Sequence, residues 1–414
     1  MVDKKLRVLD LFVGCGGLTD GFEQTGKFDT IACVEWEAEP CRTLRKRLAE
    51  KWGYKNTDET VIQFDIQRVN QLLSGYFEDG LFPAHKGLKA LVENKGGVDV
   101  IVGGPPCQAY SVAGRIRDEN GMHDDYRNFL FESYVAIVNE FRPKAFIFEN
   151  VPGMLSAAPN GVSIVKRITE AFDKIGYEIV GDLRNFALID SSSYGVPQSR
   201  RRVVIIGVER GHIKANPQVA LLDFYKSILP KYCSSKVLTV RDAIGDLPKL
   251  FPLSEPTLLR GRIRSHYFQH YDVSGHVPRK HSIRDMKIFE DLALDIESKN
   301  YKYISTDSIK ELYFERTGNR SNVHKYYVLR WDRPSNTIPA HLYKDGLRHI
   351  HPDPAQKRSI TVREAARLQS FDDDFEFTGS MTDQYKMIGN AVPPKLANAI
   401  AMALTDFLWK YYAL

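Results

Sequence analysis

Short apolar runs separated by amphipathic stretches dominate the first half of the sequence, and this rhythm constrains the fold more than any other feature. The runs that read as strands are residues 7–12, 30–35, 98–102, 145–149 and 203–208. The helical patterns between them include residues 40–51, 129–141 and 162–174. Alternation of strands and helices favours a doubly wound, parallel α/β sheet. Ligands bind such sheets beyond the carboxyl ends of the strands.

The rhythm changes after about residue 211. From there to about residue 353 basic residues outnumber acidic ones and histidines cluster, whereas residues 359–414 return to a helix–turn–helix pattern. A chain of 414 residues is long for one hydrophobic core. We therefore predict a cofactor-binding catalytic domain at 1–215, an inserted domain at 216–355 and a C-terminal segment at 356–414 that returns to the first domain.

Composition narrows the class of protein. The net charge of +5 is compatible with a polyanionic partner, and no apolar run is long enough to span a bilayer. The five cysteines are odd in number and lack paired metal-ligand spacing, which favours free thiols, no bound metal and a reducing cytoplasm. We expect a soluble cytoplasmic protein that does not bind membranes.

A single cysteine follows the third predicted strand. Residues 103–107 read Gly-Gly-Pro-Pro-Cys, in which the glycines permit a tight turn and the prolines stiffen it. A cysteine held there would lie at the ligand-binding edge of the sheet. We predict that Cys107 is a nucleophile; the alternative is a small buried residue in a loop.

A glycine-rich turn follows the first predicted strand. Gly14, Gly16 and Gly17 would let the backbone approach a ligand closely and direct helix amides toward it. Their Gly-x-Gly-Gly spacing differs from that of dinucleotide-binding proteins. The second strand ends in Glu35, whose carboxylate can accept hydrogen bonds from ribose hydroxyls.

Asp65 is a third candidate for cofactor binding, after the glycine turn and Glu35. Asp65 could accept a hydrogen bond from an adenine amino group, while Trp36 and Ile66 enclose the ring. Three ordered turns of this kind predict an adenosine-containing cofactor, either S-adenosylmethionine or a dinucleotide.

Five ordered motifs together resemble the DNA cytosine carbon-5 methyltransferases of bacterial restriction–modification systems, and the resemblance runs from about residue 6 to 401. The motifs are Asp10-Leu11-Phe12-x-Gly14-x-Gly16-Gly17, Pro105-Pro106-Cys107-Gln108, Glu149-Asn150-Val151, Gln198-x-Arg200-x-Arg202 and Gly389-Asn390-x-Val392-Pro393-Pro394. This resemblance implies a Rossmann-like, S-adenosylmethionine-dependent methyltransferase sheet, a smaller inserted target-recognition domain and flipping of the target base. The cofactor-binding residues it implies are Phe12, Gly14, Gly16, Gly17, Leu18, Glu35, Trp36, Asp65, Ile66, Pro106, Leu130, Asn390 and Val392.

The resemblance also implies a catalytic set of four residues. The Cys107 thiolate would attack carbon 6 of cytosine, which gives carbon 5 the nucleophilic character it otherwise lacks. Glu149 would share a proton with ring nitrogen 3 and accept a hydrogen bond from the exocyclic amine. Arg202 would contact the carbonyl at carbon 2, with Arg200 in the same pocket.

The expected partner is double-stranded DNA with a specific recognition sequence. Basic residues at 260–264 and 279–281 are candidate phosphate contacts. If the enzyme protects host DNA, a cognate restriction endonuclease would act on the same sequence. We expect the enzyme to be a monomer. Two alternatives share this fold: an RNA (tRNA) cytosine-5 methyltransferase and a catalytically silent DNA-binding regulator. A dinucleotide oxidoreductase would explain Glu35 but neither Cys107 nor the arginines.

Overall fold

The chain divides into two compact units in the computed structural model. The residues that the structure describes are 5–106, 130–259, 261–267, 273–320, 326–344 and 346–412. The first unit comprises residues 1–194, 200–235 and 391–414, and the second comprises residues 195–199 and 236–390. None of the helices within the described residues has the length and apolar character needed to cross a membrane.

These units divide the chain at other points than the predicted boundaries. Residues 216–235 belong to the first unit, because Gln218 bonds to the carbonyl of Ile179 and the Tyr225 hydroxyl donates to the carbonyl of Val204. Residues 356–390 belong to the second unit, in which Arg358 and Glu364 form a buried ion pair. The functional division into catalytic and recognition domains stays a prediction.

One large sheet lies at the centre of the first unit, with strand order β3-β2-β1-β4-β5-β8-β6 and β7 paired to β8. Its strands are β1 (Leu6–Leu11), β2 (Phe28–Glu35), β3 (Val61–Gln63), β4 (Val100–Gly103), β5 (Ala145–Asn150), β6 (Tyr177–Ile179), β7 (Leu188–Asp190) and β8 (Arg201–Glu209). The pairs from β3 to β5 are parallel, whereas β8 is antiparallel to β5, β6 and β7. The connection from β7 to β8 is too short for the crossover that a parallel pair needs.

Helices surround this sheet and make up much of the second unit. In the first unit they are α1 (Gly17–Glu23), α2 (Ala38–Glu50), α3 (Thr57–Thr60), α4 (Val69–Ser74), α5 (Leu88–Asn94), α6 (Leu130–Phe141), α7 (Ile164–Lys174), α8 (Leu183–Phe186), α9 (Pro217–Asp223) and α15 (Pro394–Tyr412). In the second unit they are α10 (Val240–Ile244), α11 (Ile283–Glu297), α12 (Thr306–Thr317), α13 (Val362–Leu368) and α14 (Met381–Asn390). The second unit also contains the antiparallel strands β9 (Pro252–Leu259) and β10 (Arg262–His266).

The register of the sheet brings four strand ends into line. Leu11 of β1 is opposite Gly103 of β4, which in turn is opposite Phe148 of β5, and Val34 of β2 is opposite Leu11 on the other side. These strands are buried on both faces, as expected for parallel strands covered by helices. The residue that follows each aligned position therefore lies along one edge of the sheet.

Buried histidines form part of the core of the second unit. His266 contacts the Gln356 carbonyl, His276 the Pro248 carbonyl, and His281 the backbone amide of Ser359. The histidines that cluster in the sequence are His266, His270, His276 and His281. The structure thus pairs three of them with backbone groups, and His270 lies outside the described residues. Within the described part of the chain, no cluster of three His, Cys, Asp or Glu could hold a metal ion.

We predict that the buried histidines of the second unit, including His349 and His351, make the folded state less stable in acid. Burial lowers the pKa of His266 and His349 to about 4, and that of His281 and His351 to about 3. Below about pH 6.5 these histidines bind protons in the unfolded chain but stay neutral in the folded chain. As the pH drops from about 6.5 to 4, each of these histidines therefore lowers the free energy of unfolding by roughly 1 kcal/mol per pH unit.

Urea unfolding followed by fluorescence between pH 7.5 and 4.5 measures this slope. His266→Gln should reduce the slope by about one proton. A slope that His266→Gln leaves unchanged would contradict the assignment of a neutral buried histidine at position 266.

Candidate active site

The turn after β1 has an unusual backbone. Phe12, Gly14 and Gly16 all have φ in the left-handed region, at 58°, 57° and 93°. This conformation is strained for Phe12, and such strain concentrates at functional sites. A β-carbon at Gly17 would come within 2.2 Å of the Val392 carbonyl oxygen, so the start of α1 packs directly on backbone. Leu18, next along α1, is buried.

Glu35 at the end of β2 holds this turn in place. Its carboxylate accepts hydrogen bonds from the backbone amides of Gly14 at 2.8 Å and of Trp36 and Glu37 at 2.9 Å each. Burial raises the pKa of the Glu35 carboxyl, and these three donors oppose the rise. The Trp36 side chain beside it is 58% exposed, which leaves its ring available to a ligand.

The remaining predicted cofactor residues differ in their surroundings. Asp65 accepts a hydrogen bond from the backbone amide of Gln67 at 3.0 Å, and Ile66 is buried. Pro106 is half-buried, and Leu130 is buried at the first position of α6. Val392 lies against Gly17 within the first unit. Asn390 is exposed and is the last residue of the second unit, so its predicted cofactor contact stays a prediction.

A mostly buried ion pair lies at the carboxyl end of β5. Nε of Arg202 is 2.9 Å from Oε1 of Glu149, and both side chains are 12% exposed. Burial raises the pKa of the Glu149 carboxyl, whereas Arg202 and Arg200 lower it. A β-carbon at Gly104 would come within 2.8 Å of Glu149 Oε2. The loop after β4 therefore passes directly over this carboxylate.

Arg200 is more deeply buried than its neighbours. It is 1% exposed, and its Nη2 donates to the Ala391 carbonyl at 3.1 Å. Burial, reinforced by the charge of Arg202, lowers the pKa of Arg200, and Glu149 opposes this effect. Arg201 between them is exposed. The charges of Arg200, Arg202 and Glu149 therefore act on one another.

Cys107 lies outside the described residues, and so does the segment that follows it, up to residue 129. The other four cysteines are described. Cys15, Cys33 and Cys41 are buried, and burial raises the pKa of all three thiols, that of Cys41 to about 12. Cys233 is exposed. The three buried thiols therefore stay protonated and inaccessible at neutral pH.

Sequence reasoning placed Asn150 in a motif without giving it a role, and it missed Tyr134; both side chains hold β4, β5 and the loop after β4 together. The Asn150 amide donates to the Pro105 carbonyl at 3.4 Å and accepts from the Val151 amide, which ties β5 to the loop that leads to Cys107. The buried Tyr134 hydroxyl is 3.0 Å from the Ile101 carbonyl and 2.8 Å from that of Ile147, so it bridges β4 and β5. In the sequence Asn150 is recognisable as a polar residue that ends an apolar run. Its hydrogen bond to Pro105 depends on which strands are neighbours, which the sequence does not give.

Comparison with known proteins decides the family. The family model for C-5 cytosine-specific DNA methylases matches residues 6–406. The chain belongs to this family. It is an enzyme, and the predictions of a DNA cytosine-5 methyltransferase and of a Rossmann-like α/β sheet are confirmed. Neither the RNA-directed alternative nor the silent regulator gains support.

Two related methyltransferases align with nearly all of this chain and with nearly their own full length. The type II methyltransferase M.Bpa9945I of Bacillus paralicheniformis is 33% identical, over 97% of this chain and 99% of that protein. M.AgeI of Thalassovita gelatinovora is 31% identical, over 96% and 98%. Among solved structures, a prophage-encoded DNA modification methyltransferase (E. coli) has a TM-score of 0.63 at 24% identity, covering 98% of this chain and 99% of that chain. The similarity to this solved structure supports the fold.

Proposed function

We propose that this methyltransferase methylates carbon 5 of a cytosine flipped out of a specific duplex DNA sequence, through a covalent adduct between Cys107 and carbon 6. The observation that carries the proposal is the Glu149–Arg202 pair directly beneath Gly104, because Cys107 follows Gly104 after two stiff prolines. A nucleophile supplied by that loop and an acid supplied by β5 would then act on one ring.

The residues of the glycine turn fit S-adenosylmethionine as the methyl donor. Glu35 offers a fixed carboxylate for ribose hydroxyls, exposed Trp36 offers a ring face for adenine, and the amides of α1 begin at Gly17. S-adenosylmethionine, when bound, supplies an activated methyl group. Phe12, Asp65, Ile66, Pro106, Leu130, Asn390 and Val392 complete the proposed binding set.

The proposed chemistry assigns a separate role to each catalytic side chain. The Cys107 thiolate forms a bond to carbon 6, which breaks the 5,6 double bond and makes carbon 5 nucleophilic. Glu149 holds a proton at nitrogen 3, where negative charge would otherwise accumulate, and its raised pKa suits that role. Arg202 orients Glu149 and contacts the carbonyl at carbon 2. Methyl transfer to carbon 5 would leave S-adenosylhomocysteine, and loss of the carbon-5 proton to water would then restore the 5,6 double bond and expel the thiolate.

The proposed biological setting follows from the relatives. Type II methyltransferases of restriction–modification systems are the nearest in sequence of those reported above, which supports protection of host DNA as the role of this enzyme. A cognate restriction endonuclease, a monomeric enzyme and a cytoplasmic location belong to the same proposal.

Replacement of Gly17 tests the cofactor assignment. The added methyl group of Gly17→Ala would collide with the Val392 carbonyl oxygen, which cannot move without shifting the start of α15. We expect S-adenosylmethionine to bind about tenfold more weakly and the free energy of unfolding to fall by about 1–3 kcal/mol. Calorimetric titration and thermal unfolding measure both. Gly181→Ala is the matched control, since nothing lies within 4 Å of its added β-carbon; wild-type affinity in Gly17→Ala would contradict the assignment.

The proposed function is tested with wild-type enzyme, S-adenosylmethionine and unmethylated genomic DNA, followed by bisulfite sequencing. We expect 5-methylcytosine confined to one short sequence. Unmodified DNA, combined with methylation of tRNA under the same conditions, would reject the DNA substrate.

A further inference from the structure

A cavity of about 550 Å³ opens on the surface of the second unit. Its floor is buried and includes the Arg358–Glu364 ion pair, in which Nη2 of Arg358 is 2.6 Å from Oε1 of Glu364. Its rim is more exposed and carries three further cations, Arg241, Lys299 and Arg330. A cavity of this volume is in the range of sites that bind small molecules.

Aromatic rings hold both arginines of the rim. The guanidinium of Arg241 lies 4.8 Å from the ring centroid of Trp331, and that of Arg330 lies 5.2 Å from the ring centroid of Tyr301. Contacts of this kind orient a guanidinium without using its N–H donors. Neither arginine side chain forms an ion pair or a hydrogen bond with another residue in the described part of the chain. The donors of both are therefore available to an anion.

The backbone of the rim is fixed in an unusual conformation. Lys299 and Tyr301 follow α11 with φ of 59° and 54°, in the left-handed region that residues other than glycine seldom adopt. The buried Asp295 carboxylate holds this turn by accepting hydrogen bonds from the amides of Lys302 at 2.8 Å and Tyr303 at 2.9 Å. Strained backbone that is held in this way concentrates at ligand sites.

The charge of the rim favours an anionic ligand. Two acids that line the cavity are paired: Lys249 Nζ is 3.2 Å from Asp353 Oδ2, and Arg333 Nε is 3.2 Å from Asp332 Oδ1. Glu297 is the remaining acid of the rim, so three cations against one acid leave a surplus of two positive charges. Guanidinium groups bind phosphate through two parallel hydrogen bonds, which makes a phosphate group the anion that two available arginines fit best.

We infer that this cavity binds a small molecule that carries a diphosphate group. Arg241 and Arg330 donate to the phosphate oxygens, and Lys299 adds a third cation. A DNA duplex is too large to enter a cavity of this size. The cavity is lined by residues of the second unit, whereas Glu149 and Arg202 of the proposed catalytic set belong to the first.

Calorimetric titration of the full-length enzyme with sodium pyrophosphate tests the site. We expect one-to-one binding that is about tenfold or more tighter than the binding of sulfate at the same ionic strength. The double variant Arg241→Gln with Arg330→Gln should weaken pyrophosphate binding by about tenfold or more, because it removes charge-assisted hydrogen bonds.

Arg320→Gln is the matched control. Its guanidinium also lies over a ring of the second unit, 5.4 Å from the centroid of Phe314, but Arg320 is not among the residues that line the cavity. This variant should keep wild-type affinity for pyrophosphate.

Thermal unfolding and S-adenosylmethionine titration report whether each variant is folded. If the double variant does not fold, Lys299→Gln takes its place, because Lys299 is exposed and its replacement should weaken pyrophosphate binding about threefold to tenfold.

Three results would overturn the inference. A wild-type enzyme that does not bind pyrophosphate at millimolar concentration, or that binds sulfate equally well, has no diphosphate site. Wild-type pyrophosphate affinity in the rim variants would place the bound ion elsewhere. Displacement of pyrophosphate by a short DNA duplex, with loss of duplex affinity in the double variant, would assign the cavity to the DNA backbone instead. None of these measurements depends on methyl transfer, so the proposed function is tested separately.

Discussion

Replacing Cys107 by alanine is expected to abolish methyl transfer, with kcat reduced by about 10⁴-fold or more, while S-adenosylmethionine still binds with wild-type affinity. The reason is chemical: without a nucleophile at carbon 6, carbon 5 of cytosine stays part of an aromatic ring and does not accept a methyl group. Transfer of labelled methyl groups to DNA at saturating substrate measures kcat, and calorimetry measures cofactor binding.

The matched control is Cys233→Ala. Cys233 is the exposed cysteine among the described residues, belongs to the same unit as the sheet, and is part of none of the five sequence motifs. It should keep full activity. Activity retained in Cys107→Ala but lost in Cys233→Ala would reassign the nucleophile.

The second large effect is expected for Glu149→Gln. A glutamine has nearly the same shape but cannot share a proton with ring nitrogen 3, so kcat should fall by about 10²–10⁴-fold. It also leaves the mostly buried Arg202 without its carboxylate. Because the amide oxygen can still accept one hydrogen bond, the free energy of unfolding should fall by only about 1–2 kcal/mol.

Activity and folding must be separated for this variant. Thermal unfolding and S-adenosylmethionine titration report whether the first unit is intact, and Glu170→Gln, a surface substitution on α7, gives the baseline for removing a carboxylate. A Glu149→Gln enzyme that folds, binds cofactor and retains more than a tenth of wild-type kcat would remove Glu149 from the proton-transfer role.

Much of the sheet could be predicted from the sequence. Buried parallel strands are continuous apolar runs, so the predicted strand at 145–149 and the observed β5 differ by one residue, and the other predicted strands differ from the observed ones by at most two residues at either end. The short strands β3, β6 and β7 were missed because three residues carry too little pattern. The antiparallel direction of β8 was missed because apolar content is independent of strand direction.

The candidate site was predictable where a motif carries its own chemistry. Glu35 and Glu149 each end an apolar strand, and the aligned register explains why both lie at one edge. The contacts of Asn150 with Pro105 and of Arg200 with Ala391 depend on which strands are neighbours and where the chain returns. Such long-range pairings are set by tertiary packing, and no local pattern reports them.

Trapping the covalent adduct tests the central proposal most directly. A duplex carrying 5-fluorocytosine at the methylated position should accept the thiolate and the methyl group but cannot lose fluorine as it would lose a proton, so the adduct persists. After incubation with S-adenosylmethionine, intact mass spectrometry should find protein joined to DNA in one-to-one ratio, and peptide mapping should locate the bond at Cys107. Efficient methylation of normal DNA with no trapped adduct, or an adduct on another cysteine, would contradict the mechanism.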